Sequence, residues 1–97
     1  MTSRLSEIQI IPIKPQNGLV AFASFILNGN LYLGSIGIMT RPNGGYRLVY
    51  PTKKVANRNL NIFYPINRKF ALTVEAEIVK QFEEVMNKYD RHHRFNP

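Results

Sequence analysis

Leu19–Leu27, LVAFASFIL, is the segment around which the rest of the chain can be placed. Alternation puts Val20, Phe22 and Ile26 on one face and Leu19, Ala21, Ala23, Phe25 and Leu27 on the other. Both faces are apolar, so the strand is central or meets a second subunit on its far side. Ser24 interrupts the run, which is far too short to cross a bilayer. Pro15-Gln16-Asn17-Gly18 precedes it and Asn28-Gly29-Asn30 follows it, and both read as turns.

On its N-terminal side, residues 6–14, SEIQIIPIK, read as a first strand. Its phase flips at Ile10-Ile11, which predicts a bulge there, and Pro12, lacking an N–H, predicts an edge. On the C-terminal side, Leu31–Met39 reads as a third strand, with Leu31 and Leu33 in one phase and Ile36 and Ile38 in the other. A bulge near Gly34-Ser35 reconciles them. Pro42-Asn43-Gly44-Gly45 makes the next turn, and Tyr46–Tyr50 alternates as a fourth strand that breaks at Pro51.

The segment from Tyr46 to Lys69, YRLVYPTKKVANRNLNIFYPINRK, carries six basic residues and no acidic one. It reads as a strand, then a basic loop with Lys53, Lys54 and Arg58, then a short strand Asn61–Tyr64, with Arg68 and Lys69 at the mouth of a helix. From Asn67 the period changes. Phe70, Ala71, Val74, Ile78, Phe82, Val85, Met86 and Tyr89 recur at spacings of three and four, the stripe of an amphipathic helix. Asn67 suits its N-cap, and Thr73 suits the cap of a shorter one. Arg68 and Lys69 oppose the helix dipole at this end.

Strands followed by one helix predict an α+β fold. The expected form is an antiparallel sheet of about five strands with a C-terminal α-helix packed on one face. The 97 residues form a single domain, 1–97, with an ordered core over 6–90 and a fraying tail over 91–97. One helix covers one face, so a twofold homodimer is expected to cover the other.

Thirteen Lys and Arg against six Asp and Glu give a net charge of +7 and a pI near 10.1. Between Glu7 and Glu75 no carboxylate side chain occurs, while eight Lys or Arg do. That bias favours a polyanionic partner, with nucleic acid ahead of a membrane surface. The absence of cysteine removes disulfides and thiol chemistry and allows a reducing compartment. The opening MTSRLSE has no apolar signal core, so a cytoplasmic protein is expected.

Enzyme signals are nearly absent: no phosphate-cradling Gly-rich loop and no acid pair within the strands. His92 and His93 are adjacent, so they point different ways on a helix and make a poor metal pair. Phe22, Phe25, Phe70 and Phe82 are accounted for by a core. Tyr50 and Tyr64, each directly before a proline, are the tyrosines best placed to stack on bases, although half-buried strand positions also account for them.

Four segments then stand in register with a known pattern: Ala21-Phe22-Ala23-Ser24-Phe25-Ile26-Leu27, Ile36-Gly37-Ile38, Tyr50-Pro51-Thr52-Lys53-Lys54 and Tyr64-Pro65-Ile66-Asn67. Over roughly residues 6–90 the chain resembles the stage V sporulation protein G family, the septation regulators. The resemblance implies a dimeric bacterial regulator that binds DNA or RNA and acts in sporulation, septum formation and gene expression. It places the family's basic pair on Lys53 and Lys54 and its helix entrance on Asn67. The chain departs from the family pattern at Asn28, at Gly37 and at the helix start Arg68-Lys69-Phe70-Ala71.

The leading expectation is a homodimeric nucleic-acid-binding regulator whose site is Lys53, Lys54, Arg58, Arg68 and Lys69, working by phosphate contact. It needs no cofactor, metal, small-molecule substrate or membrane. The alternative is a protein-interaction module of the division or sporulation apparatus in which the charge only aids solubility.

Overall fold

The computed structural model describes residues 3–94. The elements run β1 (Leu5–Gln16), β2 (Leu19–Leu27), β3 (Leu31–Thr40), β4 (Tyr46–Val49), β5 (Thr52–Val55), β6 (Arg58–Asn61) and α1 (Arg68–Arg94). The fold is α+β. β1 to β4 form one antiparallel sheet in the order β1-β2-β3-β4, and β5-β6 is a separate two-stranded hairpin. The expected single sheet of about five strands is thus four strands plus a hairpin. The expected strand Asn61–Tyr64 is displaced: β6 ends at Asn61, and residues 62–67 are irregular.

β2 is central and β1 is an edge, as both apolar faces of LVAFASFIL and Pro12 require. The core forms where Ala21, Ala23 and Phe25 of β2 and Ile36 and Ile38 of β3 meet Val74, Ile78 and Phe82 of α1. Phe25, Ile36, Ile38, Val74 and Ile78 are each under 2% exposed, and each such side chain contributes about 1.5–3 kcal/mol on burial. Tyr46 of β4 meets Phe82 edge-to-face with ring centroids 4.9 Å apart, which fastens the far edge of the sheet to the helix.

Bulges set the register. The one expected in β3 is present: Ala23 pairs Ile36 but Phe25 pairs Leu33, so Gly34 and Ser35 oppose Ser24 alone, with Ser35 at φ 60°. The one expected at Ile10-Ile11 is not there, because Ile10 and Ile11 pair regularly with Ala23 and Phe22. The β1 register shifts instead between Ser6 and Gln9, where Glu7 takes φ 48°, and again between Pro12 and Gln16. A further bulge falls at Val20, between the pairs Leu19–Met39 and Ala21–Ile38. It reverses the expected phase of the first two residues of β2. Val20 packs on the core, whereas Leu19 reaches over Gly37 beside Val49, on the face away from α1.

That far face carries the row Ile11–Phe22–Gly37–Val49 across all four strands. Ile11 is 63% exposed and Tyr32, on the same face, 66%. At the other end of the chain, α1 runs through residues 91–94 of the expected tail. Residues 95–97 and the side chains of Tyr89, His92 and His93 lie outside the described residues.

Candidate nucleic-acid interface

The basic stretch after Pro51 is a β-ribbon rather than a loop. Thr52 pairs with Asn61, Lys53 with Leu60, Lys54 with Asn59 and Val55 with Arg58. A two-residue turn, Ala56-Asn57, closes it with Ala56 at φ 56°. All eight strand residues are exposed. Neither strand of the ribbon packs substantially on another strand or on α1, so it is an arm standing away from the body. The radius of gyration, 14.8 Å, exceeds the about 12.5 Å expected of a compact chain this long.

Pairing and alternation place Lys53, Val55, Arg58 and Leu60 on one face of the arm and Thr52, Lys54, Asn59 and Asn61 on the other. Lys53 and Arg58 therefore share a face. Lys54, the neighbour of Lys53 in sequence, addresses the opposite side.

Arg68 and Lys69 are not on the arm. They open α1, where Asn67 caps the helix by accepting the Phe70 N–H at its Oδ1, 2.8 Å away. Thr73 is no cap: its hydroxyl donates to the Lys69 carbonyl one turn back, at 3.1 Å. The first turn holds no acidic residue, so the positive helix end and the two cations add. Among the described residues the one ion pair joins Arg41 and Glu75 at 3.5 Å. Within that same set, no carboxylate neutralises Lys53, Lys54, Arg58, Arg68 or Lys69.

Between arm and helix the chain builds a feature whose parts lie far apart in sequence. Residues 62–67 cross the end of the core and leave a half-open cleft of about 210 Å³, lined among others by Phe25, Leu33, Tyr50, Phe63, Tyr64 and Phe70. Tyr50 and Phe63 meet edge-to-face, centroids 6.0 Å apart. Burial, and behind it the negative charge of Glu75, pushes the Tyr50 hydroxyl up to about 12. Tyr50 is half-buried, while Tyr64 is 54% exposed. The run Phe63-Tyr64-Pro65 is the local signal for this cleft; read as part of a strand, it hides it.

Among the described residues no group of three or more His, Cys, Asp or Glu could hold a metal ion, and no helix is long and apolar enough to cross a membrane. No protein-family model matches the chain, and no curated protein matches it.

Proposed function

We propose that the protein is a nucleic-acid-binding regulator that grips DNA or RNA through the β5-β6 arm. The observation that carries this reading is the arm itself: a fully exposed ribbon with Lys53, Lys54 and Arg58 and, among the described residues, no carboxylate partner. A two-stranded ribbon fits the major groove of B-DNA. With Lys53 and Arg58 on one side and Lys54 on the other, it addresses the phosphates of both groove walls. Arg68 and Lys69, at the positive end of α1, supply a second phosphate contact. A role in sporulation, septation and gene expression follows the resemblance to the stage V sporulation protein G family.

A homodimer belongs to the same proposal. The row Ile11–Phe22–Gly37–Val49 is an apolar face that a second copy covers, and a twofold axis duplicates the arm. Sedimentation tests this: a chain that stays monomeric at high micromolar concentration removes the dimer.

Binding is tested by fluorescence anisotropy with a mixed-sequence duplex and a single-stranded RNA at several salt concentrations. Wild type is expected to show a steep log–log salt slope. Lys53→Ala with Lys54→Ala is expected to lower it by about two, one for each cation withdrawn from a phosphate. Failure of wild type to bind either polymer at low salt overturns the reading.

A further inference from the structure

We infer that the cleft between residues 62–67, the sheet and the start of α1 is a docking site for a protein segment presenting one bulky apolar side chain between carboxylates. This partner differs from the nucleic acid proposed for the arm, and the inference does not rest on that proposal.

The lining argues for the anchor. Phe25, Leu33, Phe63 and Phe70 offer only carbon, with the tyrosine hydroxyls of Tyr50 and Tyr64 as the polar side-chain atoms. A nucleobase entering such a space leaves most of its donors and acceptors unpaired, which disfavours it. An aromatic or branched aliphatic side chain leaves none. Two lining residues open to solvent: Leu31 is 52% exposed and Tyr64 54%. Exposed apolar groups gathered about a cleft mark an interaction surface more often than scattered ones do.

Charge selects the flanks. Arg68 and Lys69 directly precede the lining residue Phe70. No carboxylate opposes them in the first turn of α1. Glu75 is the one acid felt at Tyr50, and Arg41 pairs with it. Carboxylates beside the anchor thus meet uncompensated cations and the positive end of a helix.

The probes are acetylated pentapeptides Glu-Glu-X-Glu-Glu, with X as Phe, Leu, Trp or Ala, titrated into the ¹⁵N-labelled full chain. At least one bulky anchor is expected to bind tenfold or more tighter than Ala and to shift the amides of Leu31, Phe63 and Phe70. The surface variant Leu31→Gln with Tyr64→Ala is expected to lose that selectivity and keep its nucleic-acid affinity. Lys53→Ala with Lys54→Ala is expected to do the reverse, which separates failure of this inference from failure of the arm. Four outcomes overturn it: equal binding of all four peptides; shifts confined to residues 52–61; the same amides shifting with protein concentration alone, which makes a second copy the occupant; or their shifting with single-stranded RNA and not with peptide, which makes the cleft a base pocket.

Discussion

Ile62 donates its backbone N–H to the carbonyl of Pro51 at 3.0 Å, one step below the Thr52–Asn61 pair. This bond closes the base of the arm by tying its two legs together. The arm depends on it, because an isolated two-stranded ribbon is marginal in water. Ile62→Pro removes the donor. Its side chain is 60% exposed, so the global cost is expected to be at most about 1 kcal/mol. Hydrogen exchange is the decisive measurement: arm amides lose protection while those of β2 and β3 keep theirs. Equal loss in both regions sinks the idea that the arm is a separate unit.

The arm turns at a residue ill suited to its conformation. Ala56 sits at φ 56°, a region that costs a residue with a Cβ about 1–2 kcal/mol. Ala56→Gly removes that strain but adds entropy to the unfolded chain, and a net gain of about 0.5–1 kcal/mol in arm stability is expected. It should appear as slower exchange of the arm amides with an unchanged urea midpoint for the body. Faster exchange would show that the strain is absent.

The core depends on a few fully buried side chains. Ile78, 0% exposed, stands at the centre of the helix stripe against the sheet. Ile78→Ala is expected to cost about 2–5 kcal/mol in urea unfolding. Asn67→Ala, which removes the cap on Phe70, is expected to cost about 1 kcal/mol. An Asn67→Ala cost as large as that of Ile78→Ala would mean that α1 is held by its cap rather than by its packing.

Tyr50 makes stability fall at high pH. Its folded-state value of about 12 lies above the ordinary tyrosine value of 10.0. Between the two, the unfolded chain has lost the hydroxyl proton and the folded chain has kept it. The contribution is therefore whole below pH 10 and is lost as pH rises towards 12. Ultraviolet titration should show a late tyrosine ionisation that Tyr50→Phe abolishes, and the variant's stability should decline less steeply over that window. A late phase that persists in the variant assigns it to another tyrosine.

Much of the body was legible because periodicity reports burial. LVAFASFIL announced a central strand, Pro12 an edge, Gly34-Ser35 a bulge, and the three-and-four spacing from Phe70 the face of α1. The arm was not legible for a local reason. Its turn is Ala56-Asn57, without the Asn-Gly or Asp-Gly that marks a tight hairpin. Its strands carry Lys, Asn and Arg with no buried face, so no alternation of polarity records them. The Val20 bulge was equally silent: Leu and Val are both apolar, so exchanging their faces leaves the pattern unchanged.

Composition and period alone establish the class of the fold, the strand that centres it, and the stretch from Ile8 to Val74 that has no carboxylate. These properties survive without coordinates. Where the cations stand is a matter of three-dimensional pairing. Lys53 and Lys54, adjacent in sequence, are split to opposite faces, since successive strand residues point apart. Lys53 and Arg58, five positions apart, are brought onto one face by cross-strand pairing. The cleft likewise exists only because β6 ends at Asn61, which frees residues 62–67 to cross the end of the core and gather Phe63, Tyr64 and Phe70 around it.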